Sequence, residues 1–264
     1  MVIIEWTKPG VWLEGFGRED GWRLEGQIGR LEDALIEANV ILNMFDRAAE
    51  SSRTTENIHA EFEVRRQILK DVEAELFPGG MMCGRISEEN FHNTYNDRKI
   101  LVDTEVRRRL WVRGFLPRSF LDKPQFIFAK SFIHALDLFD KFLDDIAKDP
   151  SSPQSMKGIH EKFRISFPDL REVRNSLQHA EDRSKGEHRG KKIDLKEIDM
   201  SKVSIKGTAL VGTALDGNRF GATMANGEYG AIDVSAQTVC ILKDTLLEVY
   251  SVFSWRGGES LYPK

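Results

Sequence analysis

Apolar residues recur at alternating steps of three and four along three long stretches of the chain. This spacing places them on one face of an α-helix, which turns once about every 3.6 residues. The sequence therefore predicts three long, core-facing helices. Their apolar stripes are Ile28, Leu31, Leu35, Ala38, Leu42, Phe45 and Ala49; Ile58, Phe62, Leu69, Val72 and Leu76; and Phe128, Phe132, Ala135, Phe139, Phe142 and Ile146.

Helix-stopping residues separate these stretches. A break at 51–54 follows the first stripe, and Pro78-Gly79-Gly80 ends the second. Asp122-Lys123-Pro124 predicts the cap and first turn of the third helix. The less periodic segment between them predicts only short helical pieces, around 87–95 and 104–113.

Shorter elements follow the third helix. A short apolar stripe predicts a helix over 156–163, and Asp169 opens another helix. Residues 183–200 are polar, rich in lysine and without periodicity, which predicts a surface loop. The stripe of the helix opened by Asp169 is Leu170, Val173, Leu177 and Ala180.

The segment from about 203 to 234 has the signature of short strands. Asp216-Gly217 and Asn226-Gly227 supply tight turns between runs rich in Val, Thr, Phe, Tyr and Ile, which predicts a three-stranded antiparallel meander. Ser235 predicts the N-cap of a last helix. The apolar stripe of that helix is Val239, Leu242, Leu246, Val249 and Phe253.

Together these elements predict a mainly α fold: an antiparallel helical bundle with the small meander inserted before the last helix. We expect a Trp- and Gly-rich arm over 1–23 that packs on the body, a helical domain over 24–255, and a tail over 256–264.

Composition narrows the classes of function. The chain has 264 residues, 41% hydrophobic content, a net charge of −4 and a pI near 5.9. That balance argues against non-specific coating of nucleic acid, which needs a strongly basic surface. The two cysteines lack CxxC spacing, so we expect no thiolate metal site. The sequence shows no signal-peptide pattern and no apolar run long enough to span a membrane. These features predict a cytoplasmic protein.

One segment has the pattern of a catalytic motif. Arg174-Asn175-Ser176-Leu177-Gln178-His179 has the form Arg-Asn-x-x-x-His. It resembles the motif of HEPN-superfamily ribonucleases, which include bacterial toxins and RNA-targeting CRISPR effectors. In that family the motif lies on a late helix of an antiparallel bundle, and here it opens a predicted helix after three long stripes. The resemblance covers roughly residues 24–255 in architecture, and only the six-residue motif is specific.

The residue types fit the chemistry of RNA cleavage. When the 2′-hydroxyl of RNA attacks the neighbouring phosphate, a group must move protons and a cation must stabilise the gathering negative charge. A neutral histidine near pH 7 can do the first and the forked donors of arginine can do the second. Neither a metal nor a cofactor is required, and the products carry a 2′,3′-cyclic phosphate and a 5′-hydroxyl.

Arg174 and His179 are about 140° apart on an ideal helix, so one helix makes a poor site. The resemblance implies a homodimer that brings two motif helices together about a twofold axis, and a toxin or phage-defence effector with an antitoxin or defence-system partner. Asn175 would orient His179 or a phosphate, and Arg183 is a weaker candidate for RNA binding. Toxins of this family silenced by a nucleotidyltransferase antitoxin commonly have a tyrosine where this chain has Glu181.

Two other interpretations remain open. The chain is alternatively a non-catalytic HEPN-like module that dimerises and binds nucleotide or RNA, or a helical interaction protein in which the motif is accidental. In the second case His179 is an ordinary exposed or capping residue, and Arg174 forms an ion pair with Glu172 or Glu181. The other histidines lack metal-ligand spacing, so for each of them we expect a structural or surface role.

Overall fold

The computed structural model of the chain describes residues 1–51, 55–81, 88–200 and 205–264. The predicted break at 52–54, the segment around Cys83 and the start of the predicted meander at 203–204 lie outside these ranges. The helices are α1 (Arg18–Ser51), α2 (Thr55–Leu76), α3 (Glu88–Val112), α4 (Arg118–Lys148), α5 (Ser155–Ser166), α6 (Leu170–Gln178), α7 (Ala180–Ser184) and α8 (Ala236–Ser251).

The strands are short and pair only in antiparallel fashion. They form four two-stranded ribbons and one three-stranded sheet within the described ranges. The strands are β1 (Trp6–Lys8), β2 (Trp12–Leu13), β3 (Glu187–His188), β4 (Lys191–Lys192), β5 (Glu197–Met200), β6 (Ile205–Thr208), β7 (Ala214–Asp216), β8 (Arg219–Thr223), β9 (Tyr229–Asp233), β10 (Trp255–Arg256) and β11 (Ser260–Tyr262). The prediction of a mainly helical chain with small antiparallel sheets is confirmed.

The chain divides into two compact units. The first unit comprises residues 1–46 and 125–264, and its core joins α1, α4, α5, α6 and α8 with strands β8 and β9. The stripe predicted for α1 from Ile28 to Phe45, the stripe predicted for α8 and the centre of the α4 stripe lie in this core, where Phe45, Phe132 and Leu246 are fully buried. Their burial explains why the sequence shows such regular periodicity there.

The second unit comprises residues 47–124, and α2 and α3 form its own small core. Ile68 and Val72 of α2 are buried, whereas Phe62 and Leu76 of the predicted stripe are exposed. The buried face of α2 therefore matches the predicted stripe only in part: it includes Val72 and the half-buried Leu69 and excludes Phe62 and Leu76. The two helical pieces predicted over 87–113 are one continuous helix, α3, whose Val102, Val106 and Leu110 supply the other half of this core.

Strands of the predicted N-terminal arm pair with strands near the C-terminus. β1 pairs with β11 in the register Trp6–Tyr262, and β2 pairs with β10. Trp6 is buried, and its ring stacks on that of Tyr262. Hydrogen bonds run from Trp6 Nε1 to Tyr250 Oη (3.2 Å) and from Tyr250 Oη to the buried carboxylate of Glu32 (2.7 Å). The arm is thereby fastened to α1 and α8.

Strands also occupy part of the segment expected to be a loop. β3, β4 and β5 fall within 183–200, and β5 pairs with β6 as a separate two-stranded ribbon. The sheet β7–β8–β9 spans 214–233, with turns at the predicted Asp216-Gly217 and Asn226-Gly227 positions. Gly227 has a φ of +84°, and a Cβ there would lie 1.8 Å from the carbonyl oxygen of Asp194, so only glycine fits this turn.

The start of α4 also differs from the prediction. The helix begins at Arg118, so Pro124 lies inside it. Ser235 caps α8 as predicted, accepting a hydrogen bond from Thr238 N at 3.3 Å. None of the helices in the described ranges combines the length and apolar character that crossing a membrane requires.

Candidate functional site

The predicted catalytic segment lies at the end of α6 and at the corner where α7 begins. Leu170, Val173 and Ser176 face the core, and the helix ends at Gln178. His179 links the two helices with φ −111° and ψ 43°. Because the helical path breaks there, Ala180 is exposed and does not continue the predicted apolar stripe. For the same reason the ideal-helix angle between Arg174 and His179 does not apply.

Arg174 is anchored on α4, not on either of the glutamates considered from the sequence. Its Nε donates to Oδ1 of Asp137 at 2.8 Å, and its Nη1 donates to Oε1 of Gln178 at 2.7 Å. The Asp137 side chain is only 4% exposed, while that of Arg174 is 19% exposed. Lys141 Nζ lies 2.7 Å from the second oxygen of Asp137. The buried carboxylate therefore has two cationic partners.

His179 is accessible from solvent. Its side chain is 58% exposed, and Nδ1 lies 3.9 Å from Oε1 of Glu181, at the edge of ion-pair distance. The ring makes no capping hydrogen bond to the start of α7. Its backbone N–H donates to the carbonyl of Asn175 at 3.0 Å. The imidazole is thus free to meet a ligand or a partner chain.

The other two predicted site residues face protein groups. Nδ2 of Asn175 lies 3.5 Å from Glu172, and within the described part of the chain no hydrogen bond joins the side chains of Asn175 and His179. Arg183 is 1% exposed. Its guanidinium donates to Ser176 Oγ (3.2 Å) and to the carbonyl of Glu187 (2.7 Å), and Nη2 lies 3.2 Å from His188 Nδ1. In this arrangement Arg183 ties α6, α7 and β3 together and is not available to a phosphate.

Arg174 lies on the wall of a charged cleft between α4, α5 and α6. The cleft has a volume of about 560 Å³ and carries both basic and acidic side chains. We call it the α4–α5–α6 cleft. It is lined by Asp137, Asp140, Lys141, Asp144, Ala147, Lys148, Lys157, His160, Glu161, Arg164, Arg171 and Arg174.

His160 is a cleft residue to which the sequence analysis gave no functional role. Its Nε2 lies 2.9 Å from Oδ1 of Asp140, and its Nδ1 lies 3.5 Å from Oδ1 of Asp144. Asp137 and Asp140 are three residues apart on α4, so Arg174 and His160 are held on successive turns of the same helix. Both ring nitrogens face carboxylates of α4, so His160 links α5 to α4.

A signal for His160 was present in the sequence. It lies on the apolar stripe of α5, four residues after Met156 and three before Phe163, and all three are buried. A polar residue on a buried stripe needs a hydrogen-bonding partner. The stripe therefore pointed to a partnered histidine, but not to which carboxylates would pair with it.

No metal-binding cluster accompanies these groups. Among residues 1–51, 55–81, 88–200 and 205–264, no set of three or more His, Cys, Asp or Glu side chains is arranged to hold a metal ion. The chemical groups that the site offers are therefore arginine and lysine cations, carboxylates and the exposed imidazole of His179.

No protein-family model, curated protein or solved structure matches the chain. The likeness to HEPN ribonucleases thus rests on the six residues from Arg174 to His179 and stays a prediction.

Proposed function

We propose that this protein is a metal-independent endoribonuclease of the HEPN type, which cleaves RNA through attack of the 2′-hydroxyl on the adjacent phosphate. The observation that carries the proposal is that the motif supplies both a cation and a solvent-accessible imidazole. Arg174 lines a charged cleft, and His179 is exposed at the end of the same helix. In this assignment His179 moves protons and Arg174 stabilises the charge that gathers on the phosphate.

The surrounding helices are compatible with a HEPN-like bundle. α6 follows α1, α4 and α5 in the core of the first unit and precedes α8 in the chain, as a late motif helix would. Ser176 and Val173 hold one face of α6 against the protein, which leaves the motif side chains at its edge and its end. We propose the biological setting of a toxin or phage-defence effector, with an antitoxin or defence-system partner, in the cytoplasm.

A homodimer is part of this proposal. Arg174 is held against α4 by Asp137, while His179 extends from the corner after α6. A second chain related by a twofold axis would supply another arginine and another histidine to one composite site. The exposure of His179 leaves this corner open to such a contact.

A non-catalytic module that dimerises and binds nucleotide or RNA is the second candidate. It is favoured by the contacts of Arg174, whose Nε and Nη1 are already engaged by Asp137 and Gln178. In that case the guanidinium would serve the fold, and RNA would bind without being cleaved.

Cleavage of a labelled single-stranded RNA in EDTA tests the proposal. The wild-type protein should cleave it, and His179→Ala should lower the rate by about a hundredfold or more. Arg174→Ala should have an effect of similar size, and Asn175→Ala a smaller one, because Asn175 orients a group and carries neither the proton nor the charge. Product ends should carry a 2′,3′-cyclic phosphate.

His134→Ala is the matched control, because His134 is an exposed histidine on α4 that does not line the cleft. It should cleave at the wild-type rate. Cleavage that needed an added metal, or that continued unchanged in His179→Ala, would contradict the assignment. RNA binding without cleavage by the wild type would favour the non-catalytic module.

A further inference from the structure

The α4–α5–α6 cleft carries a local surplus of positive charge. Six cationic side chains and four carboxylates line it, which gives a net charge of +2 with His160 neutral. The chain as a whole has a net charge of −4. The cleft therefore attracts anions locally although the protein is acidic.

The cations of the cleft fall into two sets. Lys141 and Arg174 pair with Asp137, and Lys148 pairs with Asp144, so these three cations have carboxylate partners within the protein. Lys157, Arg164 and Arg171 are exposed, and across the described residues no carboxylate lies within ion-pair distance of them. Three positive charges at the rim are therefore available to a ligand.

Helix stability does not account for all of these positions. Arg164 lies in the last turn of α5, where the helix dipole favours a cation. Arg171 lies in the first turn of α6, where the dipole disfavours one. Arg171 therefore neither stabilises its own helix nor pairs with a carboxylate of the described residues, which favours a role in binding an external anion.

A second recess adjoins the cleft and differs in character. It has a volume of about 650 Å³ and shares Asp140, Glu161, Arg164 and Arg171 with the cleft. Its wall includes Phe163, Ile165 and Phe167. The two arginines therefore lie between a charged space and a partly apolar one.

Single-stranded RNA presents the matching combination of groups. Its phosphates lie beside bases whose apolar faces are free, whereas in a duplex the bases are stacked inside. We propose that Lys157, Arg164 and Arg171 contact the RNA backbone and that the adjoining recess receives a base. This inference rests on the proposed ribonuclease function, and it places the bound strand beside Arg174.

Binding of a fluorescent single-stranded RNA with 2′-O-methyl riboses tests the inference, because this probe cannot be cleaved. The triple variant Lys157→Ala/Arg164→Ala/Arg171→Ala should weaken binding at least about tenfold near 0.1 M salt. The slope of log K against log salt should fall in magnitude by about 2, since each lost phosphate contact on a single strand contributes about 0.7.

The matched control is Lys185→Ala/Lys191→Ala/Lys192→Ala. It removes the same charge from three exposed lysines that line neither recess, and it should retain most of the affinity and the slope. The inference would be overturned if both triple variants weakened binding equally, if the cleft variant bound the probe as well as the wild type, or if the wild type did not bind it.

The experiments distinguish failure of the ribonuclease proposal from failure of the RNA-binding proposal. If the wild-type protein binds the probe through the cleft but cleaves no RNA, the cleft is an RNA-binding site and the ribonuclease proposal is wrong. If the wild-type protein cleaves RNA and the cleft variant cleaves and binds it equally well, the ribonuclease proposal holds and the cleft is not the RNA-binding site.

Discussion

Arg174 serves the fold and the proposed chemistry through the same guanidinium. One edge of this group neutralises the buried carboxylate of Asp137, and the group also lines the cleft. Loss of activity in Arg174→Ala would therefore combine two effects: a missing charge in the cleft and an undercompensated carboxylate in the core. His179 has no such structural duty, since its ring has only a distant contact with Glu181.

We expect Arg174→Ala to lower the free energy of unfolding by about 1–3 kcal/mol, because Asp137 keeps only Lys141 as a cationic partner. His179→Ala should change it by less than about 0.5 kcal/mol. Adding Asp137→Asn to Arg174→Ala should recover part of the loss, since it removes the buried negative charge. Urea denaturation of the four proteins measures this, and equal stability of Arg174→Ala and wild type would show that the ion pair contributes nothing.

The sequence shows the motif residues but not their surroundings in the fold. Helical spacing placed Arg174 off the apolar stripe, which is correct, and suggested ion pairs with neighbouring glutamates. Its actual partner, Asp137, is 37 residues away in the chain. Periodicity reports which face of a helix is buried, not which residue of another helix that face meets. The same limit concealed the pairing of His160 with Asp140.

The corner between α6 and α7 depends on a buried arginine. Arg183 donates to Ser176 on α6 and to the backbone carbonyl of Glu187 on β3, so one side chain links three consecutive elements. From the sequence alone, Arg183 is a weaker candidate for phosphate binding, one turn beyond His179. The end of α6 at Gln178 changes the direction of the chain and turns Arg183 inward.

Arg183→Ala should lower the free energy of unfolding by about 2–4 kcal/mol, because it leaves buried acceptors without donors. Arg183→Lys should recover little of this, since an ammonium group does not reproduce the planar fork. Thermal melts should show a fall in Tm of about 5–10 °C for either variant. An unchanged Tm together with weakened RNA binding would return Arg183 to the role of an RNA contact.

The sequence predicted best those helices whose apolar stripe is buried along most of its length. The stripes of α1 and α8 are regular because each faces the main core along most of its length. α2 packs mainly against α3 in a small core that includes Val72 of the predicted stripe but leaves Phe62 exposed, so its apolar pattern predicted the buried face only in part. The two-residue strands β3 and β4 are too short for an alternating pattern to be detected.

A charged contact holds α1 to the turn that follows α4. Arg23 donates to both carboxylate oxygens of Asp149, at 2.7 and 2.9 Å, and this bonding lowers the pKa of Asp149. A lowered pKa in the folded state means that the contact stabilises the protein above the ordinary carboxylate pKa of about 3.9, and that this contribution is lost as the pH falls through the folded-state value.

We therefore expect the difference in Tm between wild type and Asp149→Asn to be largest near neutral pH and to shrink below about pH 4. Arg23 is exposed to solvent, which screens the ion pair, so the difference in Tm should be small even at neutral pH. Asp33→Asn is the control, because Asp33 is 70% exposed and lies 3.8 Å from Arg30. A difference that grew towards acid would contradict the sign of the argument.

At the scale of the whole molecule, the proposed site is complete only in a dimer. The mass by light scattering at tens of micromolar should then be twice the chain mass of 30.2 kDa. A monomer at that concentration would count against a composite site. The cleft, in contrast, is formed by one chain, so RNA binding should not require the dimer.

Mixing two inactive variants tests whether the site is shared. Equal amounts of Arg174→Ala and His179→Ala chains should regain cleavage, because random exchange puts about half of the chains into heterodimers that hold one Arg174 and one His179 on opposite chains. As a control for chain exchange, each variant alone is diluted and reconcentrated in the same way, and it should stay inactive. A mixture as inactive as its components would mean that the arginine and the histidine act within the same chain.

The ribbon formed by β1 and β11 determines how the protein would respond to a mechanical load. Trp6 lies opposite Tyr262 and Lys8 lies opposite Ser260, so the pairing is antiparallel. A force that pulls residue 1 away from residue 264 would therefore peel the ribbon one hydrogen-bonded pair at a time, not shear all pairs together. In a single-molecule stretching experiment the ribbon should yield first and at low force, before the helices of the core lose contact.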